Sequence, residues 1–231
     1  DVCSSDLKWL EICKIVKNHF NDEKYIRGNC DQAPFSLATM IRGSSNLMMD
    51  LLIEPEKAFL LLDYCNDVSI QFIDLMATTG VHMVSNGDSP AGPDMISPDL
   101  YEKFALPYER ELVQAAHKHN LHYTSHICGN TELILDKMIS TGTDAIELDY
   151  KTPSEKIHKV CRNNVTVIGT IDPSGVLAQG TISDVEKEAR ILLNLFSDRS
   201  RFIMNAGCAI PPHTPPENIK KLIDVTHSFN G

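Results

Sequence analysis

Thr124-Ser-His-Ile-Cys-Gly-Asn130 reads as the end of a strand, a sharp turn and the start of a helix. His126 and Cys128 stand two residues apart, so on an extended chain they point to one face. A borderline-soft ion such as zinc accepts that pair of ligands. The third candidate is far along the chain, at Cys208 in Asn205-Ala-Gly-Cys-Ala-Ile-Pro-Pro212. There too an apolar run ends in Gly and Cys just before a helix start. The pattern predicts a chain built to bring His126, Cys128 and Cys208 together at one mouth.

The same alternation extends outward in both directions. Period-two and apolar runs predict strands over residues 25–30, 81–85, 121–125, 144–149, 164–169 and 201–204. Helical periodicity fills the gaps: residues 8–20, a helix after residue 33, and residues 55–80, opened by Pro55 and closed by Gly80. A further helix is predicted from the Ser97 N-cap to about residue 119, with a kink at Pro107, and another from an Asn130 cap to Gly142. Ser183 with Glu186, and Thr214 with Glu217, read as capping boxes.

Strand and helix therefore alternate about six times with short connections, which predicts a parallel sheet with helices outside. Candidate functional residues fall just after strands, as they do in doubly wound sheets and in (β/α)8 barrels. No Gly-rich dinucleotide or phosphate fingerprint follows the first strand, which favours the barrel. The expected fold is α/β, a (β/α)8 TIM barrel with about six units legible. Residues 1–24 read as an N-terminal helix with a ragged start, and 25–231 as the C-terminal part of a single catalytic barrel.

The 231 residues are 42% hydrophobic and 23% charged, ordinary globular values, with no apolar run of membrane-spanning length. A formal charge of −10 argues against a nucleic-acid partner. Seven cysteines, at 3, 13, 30, 65, 128, 161 and 208, form neither an even nor a dense framework. Reduced thiols in a cytoplasmic protein fit better, with Cys13, Cys65 and Cys161 as small buried apolar residues.

A structural zinc usually takes four ligands from paired, closely spaced motifs, whereas three ligands from two distant strand ends suit an open catalytic site. A carboxylate between them could add a fourth ligand. Glu147 and Asp149 share a face, and Asp149, at the strand end, is preferred, its plain alternative being a helix N-cap or a turn acid. Asp172 could orient a ligand or brace the turn before Pro173. Asp88 lies in a Gly- and Pro-rich loop that suits a substrate wall, although turn chemistry alone explains it. His122 shares the parity of His126 and could pack inside the barrel, and His213 could reach the same mouth. A zinc with one nitrogen and two thiolate ligands is formally neutral, a weak acid toward water, and still takes up a further thiol and deprotonates it. That chemistry fits alkyl transfer to sulfur better than hydrolysis.

His126-Ile-Cys-Gly-Asn130, Gly169-Thr-Ile-Asp-Pro173, Asn205-Ala-Gly-Cys-Ala-Ile-Pro-Pro-His-Thr-Pro-Pro-Glu-Asn218, Ala33-Pro-Phe-Ser-Leu-Ala38 and Ile96-Ser-Pro-Asp-Leu-Tyr101 together resemble the uroporphyrinogen decarboxylase superfamily. The nearer branch is the corrinoid-dependent methyltransferases. The resemblance implies a (β/α)8 barrel with zinc on His126, Cys128 and Cys208, and a carboxylate such as Asp149 completing the metal without substrate. A thiol such as coenzyme M then displaces that carboxylate and takes the methyl group of a methyl-corrinoid, usually held by a separate corrinoid carrier protein. Asp88 and Asp172 are the expected cofactor-side residues. The decarboxylase branch is metal-free with a histidine where Cys208 stands, so a uroporphyrinogen decarboxylase-like activity on a tetrapyrrole is the second reading. The family also carries two earlier strands that are not visible before Tyr25, which implies a piece of a longer barrel.

Overall fold

The computed structural model describes residues 4–229 apart from 163, 199 and 200; Cys3 lies outside them. In chain order the elements are α1 (Ser4–Phe20), β1 (Arg27–Gln32), α2 (Pro34–Arg42), α3 (Ser44–Ile53), α4 (Pro55–Ala77) and β2 (Met83–Gly87). There follow α5 (Pro98–Phe104), α6 (Leu106–Lys118), β3 (His122–Ile127), α7 (Leu135–Ser140), β4 (Ala145–Leu148), α8 (Ser154–Cys161), β5 (Thr166–Ile171), α9 (Ile182–Leu195), β6 (Phe202–Ala206) and α10 (Pro216–Ser228). Prolines open α2, α4, α5 and α10, where the missing N–H costs no intrahelical bond.

The six strands form one parallel sheet in chain order, β1 to β6. With helices between successive strands, this is six units of a (β/α) barrel. Register separates the two faces. Val84 pairs with Tyr123, Ile127 with Leu148, and Ile146 with Val167, all buried beneath the helices. The other face carries His126 beside Glu147, Glu147 beside Ile168, and Thr170 beside Asn205. On it His126, Glu147 and Asn205 are half-buried, while Ile168 and Thr170 are buried. Two apolar clusters hold the helices on: a large one around Phe35, Tyr101, Phe104, Ile146 and Phe196, and a smaller one where Leu10 and Cys13 of α1 meet Ile73, Met76 and Val84. Each fully buried Val, Leu, Ile or Phe contributes about 1.5–3 kcal/mol. No helix among the described residues is long and apolar enough to cross a membrane.

Several local expectations need correction. The helix predicted from Ser97 to residue 119 is two helices broken at Ala105, because Pro107 denies the preceding turn its hydrogen bond. The Ser97 cap is present, its side chain accepting from Leu100 N. Asn130 caps no helix: its Oδ1 accepts from Glu132 N in a local turn, and α7 begins later. The capping box before α9 is Thr181 with Asp184, two residues upstream of the pair expected, and α10 has no side-chain cap. Gly43, at φ 82°, separates α3 from α2, an element the periodicity did not disclose.

Asp88 and Glu109 are buried behind β3 at 3% exposure each. Asp88 Oδ1 accepts from Ser36 N at 2.7 Å, and Glu109 Oε2 from the Tyr101 hydroxyl at 2.5 Å. Their other oxygens have no hydrogen-bond partner among the described residues. Burial raises Asp88 to about 7, against the Ser36 hydrogen bonds. Burial, and then the Asp88 charge, raise Glu109 to about 8, against the Tyr101 hydroxyl. Since unfolded carboxyls ionise near about 4, the folded state holds the extra protons. Their stabilisation is complete below that value and is lost as pH rises through the folded values. The melting temperature is therefore expected to fall from about pH 5 to about pH 9. Glu109→Gln, neutral throughout, should flatten that fall in a pH series of thermal melts, and an unchanged slope would contradict the assignment.

Candidate metal centre

His126 lies in the last turn-ward part of β3, Cys128 just beyond the strand, and Cys208 just beyond β6. His126 Nε2 is 3.1 Å from Cys128 Sγ, which is 3.3 Å from Cys208 Sγ. The three ligand atoms lie within 4.8 Å of one another, and this is the one such His, Cys, Asp or Glu group among the described residues. Both cysteines are half-buried, while Cys13, Cys30, Cys65 and Cys161 are buried.

Backbone geometry sets each ligand. Beyond Cys128 the chain turns at Gly129, φ 87°, a conformation that side chains rarely adopt. Gly129 N donates to Asp149 Oδ2 at 2.9 Å, and Cys128 N to Ser89 Oγ at 3.2 Å. On the β6 side Gly207 N donates to Ile171 O at 2.8 Å. A Cβ on Gly207 would stand 2.6 Å from Tyr150 N. The chain must pass that close for Cys208 to reach Cys128.

The hydrogen bonding of His126 suits it to hold a metal. Nδ1 lies 3.0 Å from the carbonyl of Glu147. With the proton on Nδ1 and donated to that carbonyl, the lone pair is left on Nε2, facing the thiols. The sulfur separation far exceeds the roughly 2.05 Å of a disulfide, so both are thiols. Burial, and then the adjacent Cys128 thiol, raise Cys208, with the Ala209 amide and His126 acting in the opposite direction. Two sulfurs on one tetrahedral zinc stand about 3.8 Å apart, half an ångström wider than here. One imidazole lone pair and two thiols, converging from two strand ends, fit a zinc ion with one side left open.

The other candidates lie elsewhere. Asp149, expected as a fourth ligand, is buried at 5% exposure and outside the group: Oδ2 takes the Gly129 amide and Oδ1 the Lys151 amide at 3.1 Å. It braces the turn that carries Cys128. Glu147 binds Arg27 and Asn205 instead of the group. Asp172 caps a π-helical turn, its Oδ1 accepting from Ser174 N at 2.8 Å and Gly175 N at 2.9 Å. Asp88 is buried, and its own N–H donates to the His126 carbonyl at 2.8 Å. His122 is exposed at the opposite end of β3, hydrogen-bonded to the Tyr25 hydroxyl, and His213 is exposed in the turn after β6. Sequence reasoning missed Ser89, and it noted Gly207 before Cys208 without giving it the close approach to Tyr150 that the structure shows. Gly207→Ala is expected to displace the β6 end and cost about 1–3 kcal/mol of stability, checked by urea unfolding.

The uroporphyrinogen decarboxylase (URO-D) family model matches residues 7–229. A methylcobamide:CoM methyltransferase, MtbA, of Methanosarcina acetivorans is 31% identical over 227 residues, 95% of this chain and 63% of that protein. A uroporphyrinogen decarboxylase of Syntrophotalea carbinolica is 31% identical over 201 residues, 84% of this chain and 57% of that protein. The solved structure of a methyltransferase from Methanosarcina mazei superposes with a TM-score of 0.86 at 24% identity, covering 95% of this chain and 63% of that one. The chain thus spans less than two thirds of the length of these relatives. Both kinds of relative are enzymes, and the family model runs across all six strands, so this chain belongs to the uroporphyrinogen decarboxylase family.

Proposed function

We propose that this chain carries the thiol-activating centre of a methyltransferase that moves a methyl group from a protein-bound methyl-corrinoid to a small thiol such as coenzyme M. The observation that carries the proposal is the meeting of His126 Nε2, Cys128 Sγ and Cys208 Sγ within 4.8 Å at the ends of two non-adjacent strands. A zinc ion held there would supply an open position at which an incoming thiol loses its proton at neutral pH. His126 offers its Nε2 lone pair because its Nδ1–H is engaged by Glu147 O. Cys128 and Cys208 would hold the ion as thiolates, and two such ligands would favour binding a sulfur substrate over ionising water. Asp149 and Ser89 keep the Cys128 turn in place. In the transfer an S–C bond forms as the Co–C bond breaks, its electron pair staying on cobalt. The ligand atoms lie at the mouth of the partial barrel, where a corrinoid carrier protein can present the methyl group.

The second reading, a metal-free decarboxylation of a tetrapyrrole, is favoured by the similarity to the Syntrophotalea carbinolica enzyme. It gives the two apposed thiols no role and predicts indifference to Cys208.

Zinc per chain and demethylation of methylcobalamin by coenzyme M distinguish the two. The methyltransferase reading predicts about one zinc per chain, and at least about a tenfold loss of zinc affinity in Cys208→Ser. Thiol-dependent demethylation should fall with it. Folded parent protein without zinc and without demethylation would overturn this reading in favour of the decarboxylase.

A further inference from the structure

We propose that Glu147 is the positioning residue that brings Cys208 up to His126 and Cys128. The consequence for a metal rests on the reading of those three side chains as ligands; the positioning itself does not.

β3 and β6 are not neighbours. Two strands separate them, so on a flat sheet their axes would stand about 14 Å apart. The observed contact between Cys128 and Cys208 requires the sheet to curl, and the curl has to be held. Glu147 sits on β4, between the two ligand-bearing strands, and its side chain is 15% exposed. Oε1 accepts from Asn205 Nδ2 at 2.8 Å, on β6, three residues before Cys208. Oε2 accepts from Arg27 Nη1 at 2.9 Å, on β1 at the far edge of the sheet. The backbone carbonyl of the same residue takes the His126 ring at 3.0 Å, on β3.

One residue therefore ties β1, β3 and β6 to β4 across the concave face. The carboxylate makes a charge-assisted bond at each oxygen and has no second role in the group. Its pull on Asn205 draws the β6 end inward. Its pull on Arg27 keeps the carboxylate directed across the face. Asp149 braces the turn after Cys128, but nothing it binds reaches β6 by a side chain. Beside the contact of the Cys128 and Cys208 thiols themselves, the Glu147–Asn205 bond links the two halves of the site by side chains.

The test uses Glu147→Ala, Glu147→Gln and Asn205→Asp. With metal stripped, the Cys128–Cys208 disulfide is equilibrated against glutathione: two protein thiols are oxidised to the disulfide while one glutathione disulfide is reduced to two glutathiones. The equilibrium constant reports the effective concentration of one thiol at the other. In Glu147→Ala it is expected to fall at least about tenfold. In Asn205→Asp, which sets a like charge against Glu147, it should fall as far. In Glu147→Gln, which can still bond Asn205, it should fall less. With zinc, competition against a chelator should show a loss of about 10–100-fold in Glu147→Ala.

A role confined to general stability would shift the melting temperature and leave the thiol equilibrium of the folded variants unchanged, which would overturn the proposal. Parent protein that binds no zinc but shows the predicted thiol equilibria would reject the metal reading and leave the positioning role standing. Zinc binding in the parent with parental thiol equilibria in all three variants would reject the positioning role alone.

Discussion

Everything at the candidate centre depends on curvature. A parallel sheet spaces its strands about 4.8 Å apart, and β3 and β6, whose ends bring His126, Cys128 and Cys208 together, are three spacings from one another. Their end residues meet because the sheet wraps toward a barrel, with a dry convex face under the helices and a polar concave face inside. The convex face supplies the stability through Ile146, Leu148, Val167 and their helix partners. On the concave face the Arg27–Glu147–Asn205 bonds run across the strands. Packing and site geometry are thus handled by opposite faces of the same strands.

The turns after β3 and β6 complete what curvature begins. Both pass through a glycine, and both are tied to a neighbouring strand or its end: Gly129 to Asp149 and Gly207 to Ile171. Asp88 adds a tie behind the site, with its amide on the His126 carbonyl and its carboxylate on α2. The carboxylates offered as ligands are thereby engaged elsewhere, Asp149 by backbone amides and Glu147 by the Arg27 and Asn205 side chains. The three donors His126, Cys128 and Cys208 converge within 4.8 Å, the arrangement on which the proposed thiol-activating centre rests.

Much of this was legible in the sequence. Six period-two runs separated by helical ones dictated a parallel α/β sheet, and His126-x-Cys128 with the later Gly-Cys208 named the three residues that meet. Parity carried His126 and Cys128 to one side without any structure. The fate of Asp149 was not legible, because a carboxylate at a strand end reads the same whether it faces a metal or an amide. The contacts of Glu147 were also hidden: they depend on how tightly strands distant in sequence curl together. Helix boundaries failed where side chains compete locally, with Asn130 taking the Glu132 amide and Asp184 completing a cap with Thr181 upstream of the expected Ser183.

The most direct measurement is zinc K-edge X-ray absorption on zinc-loaded protein. Zinc held by His126, Cys128 and Cys208 predicts two sulfur scatterers at about 2.3 Å and an imidazole nitrogen at about 2.0–2.1 Å, with one further scatterer. A shell of nitrogen and oxygen alone, or a single sulfur, would contradict the claim that the two strand ends share one ion.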